Sequence, residues 1–260
     1  MAEKPDSFSL SAEWPELVRK IRARTPARLL VGRSGAAYRT TTQIELRGAH
    51  AAARDAVRAE FDLSTHLGDD FAKMWSIFEV RTQASTKEEH LLRPDLGRQF
   101  DEASRLKLLQ CCSRNECLQI AIGDGLSVSA VAAQVGMLLP LVCEGASQRG
   151  WSFGPIPVIR HCRVGILNEI GELLSPEVVL LLIGERPGLA TAESLSAYMA
   201  YRPQKTHADA NRNLISNIHA RGVKPPEAAL RILKLAEQMM HLGFSGSRLR
   251  EKLPDQRLGK

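Results

Sequence analysis

The feature that most constrains the fold is an apolar run from Val178 to Gly184, followed directly by Glu185, Arg186 and a Pro-Gly pair. A run this short, with no alternating polar positions and bounded by turn residues, is typical of a β-strand covered on both faces. Ligands of such sheets bind beyond the carboxyl ends of the strands. Glu185 is therefore a candidate binding residue. An ordinary solvated charge at a strand end explains the pattern equally well.

The second half of the chain alternates strand patterns with helix patterns, which indicates an α/β layer fold. Strands are predicted at 77–82, 118–122, 155–160, 178–184 and 194–201. Helices are predicted at 42–61, from the turn after Asp124 to about 150, at 164–174, at 209–220, and from Pro225 onward. The ends of three predicted strands place Asp124, Val164 and Glu185 on one rim of the sheet.

Three regions are predicted along the chain. Residues 1–27 form an arm, because Trp14, Leu17, Val18 and Ile21 make an apolar stripe on a short helix that has nothing of its own to pack against. Residues 28–105 form a helical N-terminal region packed on the core. Residues 106–260 form the main α/β domain.

Composition narrows the class of protein. A chain of 260 residues with 44% hydrophobic and 25% charged residues is an ordinary globular protein. No apolar stretch looks long enough to cross a bilayer, and the N-terminus lacks a secretory signal. The five cysteines are odd in number, which favours reduced thiols inside the cell. The net charge of +6 is dispersed and no nucleic-acid motif is present, so we predict neither a nucleic-acid nor a membrane partner.

No catalytic motif can be recognised. The histidines are scattered without metal-ligand spacing, and no Ser/His/Asp arrangement stands out, so we assign this chain no metal ligand and no catalytic residue. The glycines at 123 and 125 allow a tight turn whose free amides could bind a phosphate, although this turn is neither G-x-G-x-x-G nor a P-loop. The residue patterns alone lead to an α/β protein with a ligand-binding rim.

Six stretches carry a resemblance to a known family: 50–57 (HAAARDAV), 87–89 with 92–98 (LRPDLGR), 124–127 (DGLS), 182–189 (LIGERPGL), 193–196 (ESLS) and 215–219 (ISNIH). Over about residues 27 to 245, the chain resembles the small, or light, subunit of ethanolamine ammonia-lyase. The resemblance implies a Rossmann-like, mostly parallel sheet flanked by helices, with a helical N-terminal region. It also implies an adenosylcobalamin-dependent radical enzyme that converts ethanolamine to acetaldehyde and ammonia. In this hetero-oligomer the large subunit carries the substrate site, and the small subunit closes over the cobalamin.

The resemblance also implies the cofactor contacts. They fall on Val164, Glu185 and Leu214, the last at a position where relatives are expected to have cysteine. The chain lacks D-x-H-x-x-G, so we expect cobalt to keep its own benzimidazole ligand. The short N-terminal segment leaves two locations open, the cytoplasm and a bacterial microcompartment. The alternative from another class is a free-standing α/β protein that binds a nucleotide at the rim or regulates a partner.

Overall fold

The computed structural model of the chain describes residues 16–24, 29 and 33–251. Their strands are β1 (Arg33–Ser34), β2 (Ala37–Tyr38), β3 (Ile77–Arg81), β4 (Leu118–Gly123), β5 (Ile156–Arg160), β6 (Val178–Gly184), β7 (Leu195–Tyr201) and β8 (Asn213–Ile218). Their α-helices are α1 (Glu16–Ala23), α2 (Thr40–Arg58), α3 (Leu63–His66), α4 (Asp69–Met74), α5 (Lys87–Leu92), α6 (Glu102–Cys111), α7 (Val128–Gln148), α8 (Ile166–Leu174) and α9 (Pro225–Leu242). Short 3-10 helices occupy Leu96–Arg98 and Asp209–Asn211.

The main sheet has six strands in the order β3-β5-β4-β6-β7-β8. The first four run parallel, while β7 is antiparallel to both β6 and β8. Helices cover both faces, so the predicted α/β fold with a mostly parallel, flanked sheet is confirmed. Because β4, β5 and β6 are parallel, their carboxyl ends meet at one edge of the sheet.

Strand β6 lies at the centre of this arrangement. All seven of its residues are buried. Val178, Leu180 and Leu182 pack into the core layer under α7 and α9, whereas the alternate residues Val179, Leu181 and Ile183 pack into the layer under α8. Successive side chains of a strand point to opposite faces, so an unbroken apolar run is what a doubly covered strand requires. The sequence interpretation of this run is confirmed.

Helix α7 corrects one expectation. Its 21 residues are long and apolar enough, by length and composition, to cross a membrane, so the statement that no stretch reaches that length was wrong. The helix is nevertheless a core element. Eleven of its residues are buried, and it packs against β6 and α9. A core helix covered on several sides has the same composition as a membrane-spanning one, which explains the overlap.

The prediction of a helix at 209–220 is wrong. The segment contains one 3-10 turn and then β8, which pairs antiparallel with β7 at the edge of the sheet. The register shifts by one residue, since Leu195 faces Ile218 but Ala197 faces Ile215. This bulge, with Asn217 at φ +62°, puts Ile215 and Ile218 into the core together. The bulge removes the two-residue period, and the apolar spacing that remains resembles that of a helix.

The sheet extends across the boundary predicted at residue 105. Strand β3 belongs to the region predicted as helical, yet it pairs along its whole length with β5. In the predicted arm, α1 has no buried residue, and Leu17 is 67% exposed. Trp14, which was expected to belong to the same apolar stripe, lies outside the described residues.

Candidate functional site

A cavity of about 360 Å³ opens at the carboxyl edge of the sheet. The β4–α7 turn, the β5–α8 loop, the end of β6, and side chains of β7 and β8 surround it. Its lining residues are Gly125, Leu126, Cys162, Arg163, Val164, Ile183, Gly184, Glu185, Arg186, Ser196, Tyr198 and Leu214. All three residues singled out in the sequence, Val164, Glu185 and Leu214, therefore lie around one cavity.

Glu185 is held in place by donors of its own chain. Ser194 Oγ donates to Glu185 Oε2 at 2.7 Å, Ser196 Oγ donates to Oε1, and the Asn217 N–H donates to Oε1 at 3.0 Å. A carboxylate oxygen can accept about two hydrogen bonds, so Oε2 keeps room for a further donor. The interpretation of Glu185 as an ordinary solvated charge does not describe this fixed, half-buried acceptor.

Val164 and Leu214 give the cavity its apolar wall. Val164 is half-buried and packs against the core layer under α8. Leu214 pairs with Tyr198 across β7 and β8, and its residue is 44% exposed. A leucine at this exposure on a cavity wall offers apolar surface to a ligand or a docking protein.

Asp124 fixes the loop that carries Val164. Its carboxylate is fully buried and accepts the N–H of His161 at 2.9 Å and the N–H of Cys162 at 2.8 Å. Lys87 Nζ lies 3.5 Å from Asp124 Oδ2, and the two side chains are 8% and 0% exposed. A buried carboxylate needs such partners because its desolvation is costly. The bonds also hold His161 in a left-handed conformation, at φ +57°.

His90 and His161 pack against each other next to Asp124. Their rings stack at 5.8 Å between centroids, and His161 Nδ1 lies 2.8 Å from the Ala84 carbonyl oxygen. His90 Nε2 lies 3.2 Å from the Gly125 carbonyl oxygen, while its Nδ1 is buried without a hydrogen-bond partner. Burial lowers the pKa of His90 to about 4, against the opposing effect of the Asp124 charge. His90 is therefore neutral near pH 7 and donates through Nε2.

The end of β6 touches the β4–α7 turn backbone to backbone. A Cβ on Gly184 would collide with the carbonyl oxygens of Ser127 and Asp124, so only glycine permits this approach. The turn amides of Asp124, Leu126 and Ser127 all donate to backbone carbonyls. Three of the amides at this turn are thus already used within the chain, which weakens the support for a nucleotide phosphate there.

Cys162 is among the lining residues of the cavity, but its side chain is completely buried. Complete burial, helped by the negative charge of Asp124, raises the pKa of this thiol well above its ordinary value. The side chain is therefore a protonated thiol at neutral pH. It is a poor nucleophile and a poor metal ligand, because only the thiolate acts as either. Within the described part of the chain, no three His, Cys, Asp or Glu side chains converge as a metal-binding group.

A second cavity, of about 660 Å³, lies beyond Gly165. Most of its charges are compensated within the chain, since Arg105 pairs with Glu169 and Arg212 pairs with Asp209. None of the three site residues expected from the sequence lines it. The smaller cavity is therefore the better candidate site.

Sequence reasoning missed several residues of the site. Ser194 and Ser196 belong to a quoted stretch, and their two-residue spacing in extended chain was the signal that both face Glu185. Asp124 was predicted on the rim and Lys87 belongs to a quoted stretch, but only the folded chain shows that their side chains meet. Arg163, next to Val164, was not considered as a site residue.

Comparison with known proteins shows what this chain resembles. The sequence model of the family described as ethanolamine ammonia-lyase light chain matches residues 15–250. Proteins named ethanolamine ammonia-lyase small subunit from Clostridium perfringens and Listeria monocytogenes are each 40% identical over 227 residues, which cover 87% of this chain and 75% of theirs. A protein of the same name from Clostridioides difficile is 40% identical over 226 residues. The family match spans α1 to α9 and includes every residue that lines the cavity.

Proposed function

Since the chain belongs to the ethanolamine ammonia-lyase light chain family, we propose that it is the small subunit of an adenosylcobalamin-dependent ethanolamine ammonia-lyase, which converts ethanolamine to acetaldehyde and ammonia. Its cavity at the carboxyl edge of the sheet holds one side of the cofactor. The observation that carries this proposal is the meeting of Val164, Glu185 and Leu214 around one cavity.

The residues around the cavity suit cobalamin. The corrin ring carries neutral amide side chains, and Glu185 offers an acceptor that is already oriented by three donors. An acceptor fixed in advance loses little entropy on binding. Val164 and Leu214 offer apolar surface to the ring edge. This combination of a few placed polar groups with apolar walls is typical of small-molecule sites.

A large partner subunit completes the site. Drug-sized ligands occupy cavities of roughly 300–1,000 Å³, and cobalamin is far larger than such ligands. A cavity of about 360 Å³ therefore accommodates only part of it. The large subunit covers the remaining surface and carries the substrate site.

The contribution of this chain is positioning and exclusion of water. When bound, adenosylcobalamin supplies radical chemistry through cleavage of its cobalt–carbon bond. Glu185 orients the cofactor edge, and Val164 and Leu214 keep water from it. Asp124 and Lys87 hold the loop that carries Val164. The chain supplies no catalytic residue.

No residue around the cavity would replace the benzimidazole of the cofactor as a ligand of cobalt. No histidine is among the lining residues of the cavity, and the Cys162 thiol stays protonated. His66, the histidine closest to a D-x-H arrangement, instead bonds through Nδ1 to the Asp62 carbonyl at 2.7 Å. The intracellular location, in the cytoplasm or a microcompartment, is part of the same proposal.

Co-expression tests the function. The full chain is produced alone, with the large subunit, and compared with the large subunit alone. We expect only the complex to retain a corrinoid, seen by absorbance, and to deaminate ethanolamine. If the chain alone were fully active as a monomer, the subunit assignment would be wrong. Tight binding of a nucleotide by the chain alone would instead favour the free-standing alternative.

A further inference from the structure

Two arginines line the candidate cavity without an acidic partner. Across the described residues, no carboxylate lies within 4.0 Å of the charged nitrogens of Arg163 or Arg186. The two acids nearby are engaged elsewhere. Asp124 is bound by two amides and Lys87, and Glu185 accepts from two serine hydroxyls and one amide. Within the described part of the chain, the two arginine charges at this cavity are therefore not paired directly with a carboxylate.

Arg163 is held rigidly at the cavity wall. Its N–H donates to the Gly97 carbonyl at 2.8 Å, and its Nη2 donates to the His90 carbonyl at 2.7 Å. Its stem crosses Gly97 so closely that a Cβ there would lie 2.6 Å from Arg163 Cγ. The Nε atom is buried without a hydrogen-bond partner. With Nη2 bonded to the His90 carbonyl and Nε buried, Nη1 is the guanidinium nitrogen that this rigid side chain can offer to a ligand in the cavity.

The surrounding charges make an anion favourable there. Burial lowers the pKa of Arg163, and the positive charges of Arg186 and Arg98 lower it further, while Asp124 opposes them. Arg98 lies close to the same loop, because its stem packs against Gly165. Like charges gathered around a partly buried site repel one another until an anion enters.

Building on the proposed function, we infer that Arg163, supported by Arg186, binds the phosphodiester of the nucleotide tail of cobalamin. The amides of the corrin ring are neutral, whereas the phosphodiester is the anionic group at the periphery of the cofactor. Arginine binds such groups through charge-assisted hydrogen bonds. Arg163 borders the same cavity as Val164 and Glu185, so one bound molecule can reach all three. A carboxylate of the large subunit is the competing anion.

Cobinamide distinguishes a contact with the phosphodiester from a contact with the large subunit, because it has the corrin ring but no phosphate or nucleotide. The purified complex of both subunits is titrated with hydroxocobalamin, cobinamide phosphate and cobinamide, and binding is followed by corrin absorbance. The variant is Arg163→Gln, with Arg186→Gln as a second, more exposed variant. Arg114→Gln is the matched control, since Arg114 is exposed and precedes β4, at the opposite edge of the sheet.

We expect Arg163→Gln to weaken the binding of hydroxocobalamin and of cobinamide phosphate to the complex about 10- to 100-fold. This is the range for charge-assisted hydrogen bonds. Cobinamide affinity should stay within about twofold of the wild-type complex. Arg186→Gln should act in the same direction but less strongly, and Arg114→Gln should change nothing.

Three outcomes overturn the inference. Equal weakening of all three ligands would mean general damage to the cavity. Unchanged affinity combined with poorer recovery of the complex would mean that Arg163 binds the large subunit. Failure of the wild-type complex to bind any of the three would remove the proposed function itself, and the inference with it.

Discussion

At the scale of single residues, Glu185 shows how the site is prepared. Its three donors come from β8 and from Ser194 and Ser196, so its position depends on the edge of the sheet. Water does not need to reorganise around a carboxylate that is already bonded in place. The side chain is thus suited to orienting a large ligand through one remaining acceptor site.

We predict that Glu185→Ala weakens cobalamin binding by the two-subunit complex about tenfold, the loss expected from one hydrogen bond to a charged group. Complex assembly should be preserved, because the half-buried position adds little to the core. The dissociation constant is measured by absorbance titration. Glu193→Ala is the control, since Glu193 is an exposed acid on the same loop. An unchanged affinity would remove Glu185 from the binding site.

The cysteines should differ in reactivity. Burial raises the pKa of Cys112 and Cys143 to about 12, and also raises the pKa of Cys162 well above its ordinary value. Cys111 is exposed. In the native full chain at pH 8, iodoacetamide should modify Cys111 much faster than these three, as measured by peptide mass spectrometry. Rapid labelling of Cys162 would show that the rim opens in solution.

At the scale of elements, strand β6 could be predicted and strand β8 could not. The apolar run at Val178 determines a doubly covered strand by itself, because burial on both faces needs no information from other segments. The bulge in β8 depends on its pairing with β7, which is not visible in the spacing of Leu214, Ile215 and Ile218. A local pattern predicts a helix there, and tertiary pairing overrides it.

In the candidate site, too, some features could be predicted from the sequence and others could not. The rim could be predicted, because the ends of parallel strands meet at one edge. The contacts that shape it could not. Lys87 and Asp124 are 37 residues apart, and Arg163 is fixed by the carbonyls of Gly97 and His90. Such contacts follow from the packing of α5 against the turn after β4, and no short motif records them.

The Asp124–Lys87 pair connects α5, β4 and the β5–α8 loop, so it should stabilise them together. We predict that Asp124→Asn lowers the free energy of unfolding of the full chain by about 3 kcal/mol, because it leaves the buried Lys87 charge without a carboxylate, with only the Gly125 carbonyl nearby. Lys87→Met should cost less, since Asp124 keeps two amide donors. The double variant should be more stable than the sum of the two effects implies. Urea unfolding followed by circular dichroism measures all three.

The exposed pair of Arg93 and Asp95 is the matched control for this cycle. Both side chains are 60% exposed, and their charged atoms lie 2.7 Å apart. Asp95→Asn should therefore cost less than about 1 kcal/mol. Strictly additive effects of Asp124→Asn and Lys87→Met would show that the buried pair is not coupled.

At the scale of the whole molecule, the packed core and the open cavity lie in different parts of the sheet. Both layers of the sheet are filled, and β4, β5 and β6 are almost entirely buried. The carboxyl edge, in contrast, holds an open cavity with a fixed acceptor, Glu185, and two arginines that no carboxylate of the described residues contacts. The core that stabilises the fold and the cavity thus occupy different parts of the molecule. The buried ionisable groups Asp124, Lys87 and His90 lie between them.

His90 makes the stability of the whole chain depend on pH. Its pKa is about 4 in the folded chain, against an ordinary value of 6.5, because burial disfavours the imidazolium and the charges of Lys87 and Arg163 add to that effect, while Asp124 opposes it. The unfolded chain therefore binds more protons between these values, so this contribution is complete above pH 6.5 and is lost as the pH falls toward 4. The loss is ~3 kcal/mol at most.

We predict that the thermal midpoint of the full chain, followed by circular dichroism at constant ionic strength, falls as the pH is lowered from 6.5 toward 4. It should fall less in His90→Gln, which keeps a donor for the Gly125 carbonyl and does not titrate. Parallel curves for the two proteins would assign the acid sensitivity to other groups.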